Sequence, residues 1–219
     1  MNTLDQIQVN AERLLKEMPT HVTLLAATKT RSLSEIQAAW DGGIRCFGYN
    51  YVQEAQGMIP QVDFKAEWHL IGHLQRNKAA QAVGLFDMIE TVDSLRLAQE
   101  LEKRCAQQDK RLTVLIEINS GREENKDGVL PDEALALAEA IGGMTHLRLE
   151  GCMTMGPLTG EADLARPYFH TTREIFDQFK RQFPLVKWLS MGMSHSYQVA
   201  IEEGANLVRI GTLLFGPRS

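Results

Sequence analysis

The chain has 219 residues, 44% of them hydrophobic, which suffices for one well-packed core and lies near the lower limit for a complete eight-stranded barrel. A net charge of −5, with no segment that concentrates Lys and Arg, removes the electrostatic footprint of a nucleic-acid or anionic-membrane binder and favours a small-molecule partner. Cys46, Cys105 and Cys152 are odd in number, far apart and outside any C-x-x-C spacing, which speaks against a disulfide framework and a structural zinc site and for a reducing compartment.

The opening MNTLDQIQVNAERLLKEMP lacks a basic start followed by an apolar stretch, and no apolar run approaches the roughly 20 residues that span a bilayer. A soluble, cytoplasmic protein is expected. An amphipathic helix is predicted at about 4–17, then a strand at 22–28 and a helix at 33–40 that opens on the capping box Ser32-Leu-Ser-Glu35. Strands follow at 44–48, 67–71 and 88–92, with helices at 52–59, 76–83 and 95–107 between and after them. The second half continues with strands at 113–119, 147–154, 186–190 and 207–210 and helices at 131–141, 163–183 and 197–203, the first of these opening on Pro131.

Eight short apolar strands alternating with helices over the whole length give a single domain, 1–219, of α/β class with a parallel sheet, and the count favours a closed (β/α)₈ TIM barrel. An open doubly wound sheet stays possible by counting alone, although no G-x-G-x-x-G follows the first strand. Residues 213–219 are too short for a proper closing helix, so the N-terminal helix is expected to cover that part of the barrel. The segments 121–128 and 156–161 read as loops.

In such a barrel the ligand face is built from the C-terminal ends of the strands, and phosphate sites favour the turns after the last two. The first strand ends in Lys29, where partial desolvation and nearby cations would make an amine nucleophilic toward an aldehyde; the competing reading is a solvated lysine at a strand end. The seventh runs into Met191-Gly-Met-Ser194-His-Ser196, where amides and hydroxyls can converge on a phosphate, although an N-cap by Ser194 accounts for part of the pattern. Gly211 and Thr212, after the eighth strand, can close the same cradle. Arg209 points opposite to Val208 and Ile210, into the barrel or into the helix layer, and would need a ligand heteroatom or a carboxylate as partner. Glu117 and Asn119 share one side of the fifth strand and either line the mouth or solvate it. His69 and His73 are spaced i, i+4, but a strand followed by Gly72 does not hold them on one face, so no metal is expected there.

Seven blocks in order carry a family resemblance: Ala27-Thr-Lys29-Thr30; Phe47-Gly48 with Asn50-Tyr-Val-Gln-Glu54; Trp68-His-Leu-Ile-Gly72 with Leu74-Gln75 and Asn77-Lys78; Asn119 with Glu123, Lys126 and Gly128; Gly151-Cys-Met153; Ser190-Met-Gly-Met-Ser194; and Val208-Arg-Ile-Gly-Thr212 with Phe215-Gly216. Over nearly its full length the chain resembles the PLP homeostasis proteins, relatives of the N-terminal barrel of alanine racemase. The resemblance implies pyridoxal 5′-phosphate as cofactor, an internal aldimine on Lys29, and a phosphate held by Ser194, Gly211 and Thr212 with amides near Met193. It also implies Arg209 near the pyridine nitrogen, where a permanent cation weakens the ring as an electron sink, with Asn50 and Met153 lining the ring pocket and His69 supporting it. Tyr49 and His195 stand where this family commonly has acidic residues and His73 where it has proline, and these departures are expected around the pocket.

Three functions fit: a protein that buffers or delivers the cofactor, a racemase-like enzyme, and a Schiff-base aldolase without cofactor. The first is favoured. A racemase needs a base on each face of the substrate carbon, and alanine racemase takes its second from a β domain for which these residues leave no room; an aldolase lysine usually lies on the sixth strand. The expectation is therefore a monomeric non-enzyme making at most transient contact with PLP-dependent enzymes, and contacting neither nucleic acid nor membrane.

Overall fold

The computed structural model describes residues 2–157 and 161–217. Eight strands form a closed parallel barrel in sequence order: β1 (Thr23–Ala27), β2 (Cys46–Tyr49), β3 (Glu67–Leu70), β4 (Met88–Val92), β5 (Leu112–Glu117), β6 (Leu147–Met153), β7 (Trp188–Met193) and β8 (Leu207–Ile210). Closure is made by β1 pairing with β8, with Leu25 opposite Arg209. The doubly wound alternative is thereby excluded.

Helices α1 (Leu4–Glu17), α2 (Leu33–Asp41), α3 (Val52–Met58), α4 (Ala79–Leu85), α5 (Leu95–Gln107), α6 (Ala134–Gly142), α7 (Arg166–Gln182), α8 (Tyr197–Glu202) and α9 (Thr212–Phe215) surround it. The capping box forms as its sequence requires: Glu35 N–H donates to Ser32 Oγ at 3.3 Å, and the Glu35 carboxylate accepts from Ser32 N–H at 2.8 Å. Pro131 opens a short 3₁₀ turn that leads into α6.

Among the described residues the single turn α9 follows β8, and α1 packs there. Asn10 Nδ2 donates to Leu214 O at 3.0 Å, and Asn2 Nδ2 reaches the same carbonyl at 3.3 Å. Arg31 Nη2 adds a bond to Gly216 O at 2.7 Å. Among the described residues no helix is long and apolar enough to cross a membrane.

Strand alternation separates two environments. Leu24, Ala26, Phe47, Leu70, Ile89, Ile116, Cys152, Leu189, Val208 and Ile210 face outward and join the core shared with the helices. Leu25, Cys46, Ile71 and Leu207 form a second, smaller apolar cluster inside the barrel, and Met88, Leu115 and Met153 a third. Between them the interior carries the buried polar side chains of His69, Glu90, Glu117, Ser190 and Arg209.

Candidate cofactor site

Lys29 follows β1 at the C-terminal end of the barrel and is half-buried. Its Nζ lies 3.4 Å from Tyr51 Oη and 5.0 Å from the centre of the Tyr51 ring. The chain turns sharply after it, because Thr30 adopts a left-handed conformation with φ of 61° and its N–H is held by the Glu54 carboxylate of α3. That clamp fixes where the lysine leaves the strand.

The turns after β7 and β8 meet at one hydroxyl. Ser194 Oγ accepts the N–H groups of Gly211 and Leu213, each at 3.3 Å, leaving its own proton to be donated elsewhere. Met193 N–H donates to Ser196 Oγ at 3.2 Å, and Ser196 N–H returns to Met193 O at 2.8 Å. Gly192 makes this turn possible: its φ is 93°, and a Cβ there would strike Ala200 and Tyr197 of α8. Gly211 faces Ala27 at the end of β1, and Thr212 is exposed beside it. The strand order thus puts Lys29 and both polar turns at one end of three neighbouring strands.

Beneath this end runs a continuous buried polar chain. Arg209 points into the barrel and not into the helix layer. Its Nη1 donates to Ser190 Oγ at 2.6 Å and its Nη2 to Thr154 O at 2.8 Å. Ser190 Oγ donates to Glu90 Oε2 at 2.5 Å, and Glu90 Oε1 meets His69 Nδ1 at 2.7 Å. Arg209 also lies 3.8 Å from Glu90, so the carboxylate reading of its partner holds together with a carbonyl and a hydroxyl. Burial pushes the Glu90 carboxyl up, but the hydrogen bond from His69, the His69 and Arg209 charges and the Ser190 hydroxyl outweigh it and hold its pKa below the ordinary value. Burial likewise lowers Arg209, opposed by Glu90 and Glu117.

The remaining expected residues separate by depth. Asn50 is half-buried after β2 and so close to Gly72 that a Cβ at position 72 would collide with its backbone. Met153 is fully buried in the inner apolar cluster, and His69 is 2% exposed in the polar chain below the open face. Tyr49 corrects an expectation: it faces the helix layer, fully buried and stacked on Trp68 at 6.0 Å, because the alternation that turns Gly48 inward turns Tyr49 outward. His195 and His73 do lie exposed on loops at the C-terminal end, with His73 Nδ1 at 3.2 Å from Asp127 and 3.4 Å from Asp93. Tyr51, which is not among the expected site residues, stands beside Lys29.

Glu117 and Asn119 line a cleft of about 200 Å³ with Thr154, Met155 and Tyr168. Asn119 serves its own loop, holding Glu123 O at 2.8 Å and accepting Glu123 N–H at 3.0 Å. Glu117 Oε2 is buried with no hydrogen-bond partner among the described residues. Burial, together with the Asp127 and Asp93 charges, raises its pKa to about 8.

A closed eight-stranded barrel with its polar residues gathered at the C-terminal strand ends defines the class as a ligand-binding (β/α)₈ barrel of the alanine racemase N-terminal type. The family model described as alanine racemase, N-terminal domain, matches residues 3–219, and the chain belongs to that family and, within it, to the pyridoxal phosphate homeostasis proteins. The pyridoxal phosphate homeostasis protein of Aquifex aeolicus is 41% identical over 89% of this chain and 86% of its own length. PipY of Synechococcus elongatus, solved with PLP bound, is 31% identical with a TM-score of 0.88, covering 96% of this chain and 100% of that one. Alanine racemase of Clostridium difficile superposes with a TM-score of 0.81 over 98% of this chain and 56% of its own at 15% identity, a likeness of fold.

Proposed function

We propose that this protein binds pyridoxal 5′-phosphate at the C-terminal end of the barrel, covalently on Lys29, and buffers or delivers it in the cytoplasm as a monomer without catalysing a reaction with it. The observation that carries the reading is the half-buried Lys29 amine at the same barrel end as the Ser194-centred turns that follow β7 and β8. PLP binding by PipY and the names of the curated relatives support the choice of ligand.

The residues present fit the group. A phosphate needs several donors and no nearby carboxylate, and Ser194, Gly211 and Thr212 with amides near Met193 offer hydroxyls and N–H groups from two adjoining turns. When bound, the cofactor supplies an aldehyde for an amine to capture and a ring that can draw electrons from what it holds. Arg209 would oppose the second property, since a buried guanidinium already held by Ser190 and Thr154 stays charged and disfavours a proton on the ring nitrogen. Asn50 and Met153 would bound the ring, and His69 would act through Glu90 and Ser190 to hold Arg209 in place.

The carrier reading draws support from the same layout. A racemase needs acid–base groups on both faces of the reacting carbon, and Tyr51, the tyrosine found near Lys29, approaches from the neighbouring strand end at 3.4 Å. Purified protein should show a visible band that borohydride bleaches, and mass spectrometry of the reduced adduct should place it on Lys29. Lys29→Ala should lose both. A colourless protein that does not respond to added pyridoxal phosphate would overturn binding, and sustained change of chirality in single L-amino acids would overturn the carrier role while leaving binding intact.

A further inference from the structure

Toward the opposite end of the barrel, Cys46 and Glu67, which the cofactor site does not use, converge on His69, the far end of the buried polar chain. Cys46 is the first residue of β2 and Glu67 the first of β3; the two are register partners, and His69, two positions on, turns inward on the same side. Strand pairing therefore brings together residues whose positions in the sequence gave no metal spacing. Cys46 Sγ lies 3.5 Å from His69 Nε2, Glu67 Oε1 lies 3.4 Å from the same nitrogen, and all three donor atoms fall within 4.8 Å of one another.

Taken one at a time, these contacts are a long hydrogen bond and a long ion pair of His69, and together they compete for one ring nitrogen. His69 Nδ1 is taken up by Glu90 at 2.7 Å, so one remaining ring position, Nε2, faces both a thiol and a carboxylate. One N–H cannot serve two acceptors well, and 3.4 Å is long for a bond to oxygen. The separations do suit ligands around a common ion: with metal–sulfur and metal–nitrogen bonds of about 2.3 and 2.05 Å, tetrahedral geometry separates the sulfur and nitrogen by roughly 3.6 Å, and nitrogen and oxygen by roughly 3.4 Å. The carboxylate on the far ring nitrogen is the usual outer partner of a metal-bound histidine, fixing which nitrogen faces the ion.

We propose that Cys46, Glu67 and His69 bind one transition-metal dication of the zinc class at the N-terminal end of the barrel. A thiolate with an imidazole selects such an ion over magnesium or calcium, which require oxygen. Cys46 and His69 are buried, while the Glu67 side chain is 51% exposed and borders a cleft with Arg45, Lys65 and Asp87, so the ion enters from the barrel floor and keeps one position for solvent. Lys187, the cation facing Glu67, is tied to Glu150 at 3.0 Å. Binding releases the Cys46 thiol proton and any proton on His69 Nε2, and no bond to carbon changes.

Cobalt tests this without reference to the cofactor. Chelator-stripped full-length protein titrated with Co²⁺ alone should give one equivalent of strong visible absorption typical of four-coordinate cobalt, with a near-ultraviolet thiolate-to-cobalt band, both displaced by Zn²⁺. Cys46→Ala, a small change at a buried site, should remove the thiolate band, and Glu67→Gln, at a half-exposed position, should weaken Co²⁺ binding by at least about tenfold, the loss seen even for outer partners of metal ligands. No binding, binding without a thiolate band, or a spectrum that Cys46→Ala leaves unchanged would overturn the site. The last two outcomes would point instead to the exposed His73, Asp93 and Asp127 group, whose oxygen-rich donors give weak absorption.

Discussion

Inside the barrel, His69, Glu90, Ser190 and Arg209 form one polar chain from β3 to β8, whereas the outward positions of the same strands carry Leu70, Ile89, Leu189 and Val208 against the helices. The outer layer is held by contact area, which tolerates repacking; the inner chain is held by directed bonds, each atom depending on the next. A barrel can afford a polar middle because its helix layer already supplies the apolar core. Ligand chemistry then acquires charged groups whose positions are fixed before anything binds.

Breaking the inner chain or removing a ring from the outer layer should have the largest effects. Glu90→Leu strands both the Arg209 guanidinium and His69, and should cost about 3–5 kcal/mol in denaturant unfolding. Phe47→Ala in the outer layer removes a fully buried ring that packs on Trp68 at 5.4 Å and should also cost about 3–5 kcal/mol, by opening a cavity. If the two layers are energetically separate, the double variant loses the sum within about 0.5 kcal/mol; a larger coupling would break the distinction.

Glu117 gives a middling effect with a sign. Its pKa of about 8 in the folded protein lies above the ordinary 4.5, so the folded state binds the extra proton between those values and stability falls as pH rises from about 4.5 to 8. Glu117→Gln should flatten that slope, raising stability at pH 9 by an amount on the order of a few kcal/mol while changing little at pH 4. Melting temperatures across this range check it, and an unchanged slope would place the titration elsewhere. The smallest effect on stability belongs to Lys29→Ala, within about 0.5 kcal/mol in cofactor-free protein, since its amine meets only the Tyr51 ring and hydroxyl at the rim.

The two layers also differed in legibility. Strands β4 and β8 and helices α1 and α5 were readable to the residue, because outward positions repeat an apolar period against turn and cap signals. The sequence predicts a strand at 186–190 where β7 lies at Trp188–Met193, since Met191-Gly192-Met193 resembles a loop and its pairing with β8 shifts register there. Helix α9 has four residues, too few to show a period of 3.6.

At the site, strand ends identified Lys29, Ser194, Gly211 and Thr212 as candidates, and side-chain alternation left two directions for Arg209. Glu90 belongs to no motif, although a glutamate within the apolar strand M-I-E-T-V signals a buried partner for it. Tyr51 and the meeting of Cys46 with His69 depend on how adjacent strands align, which no single stretch of sequence specifies.

Helix α1 is synthesised before every strand, yet the carbonyl that Asn2 and Asn10 hold belongs to Leu214, which is made after them all. The same delay applies to the proposed cofactor site, since Lys29 emerges early and Gly211 late. A nascent chain that has reached only β6 therefore has the lysine without its cradle, and capture of the ligand would report that synthesis has run to the eighth strand.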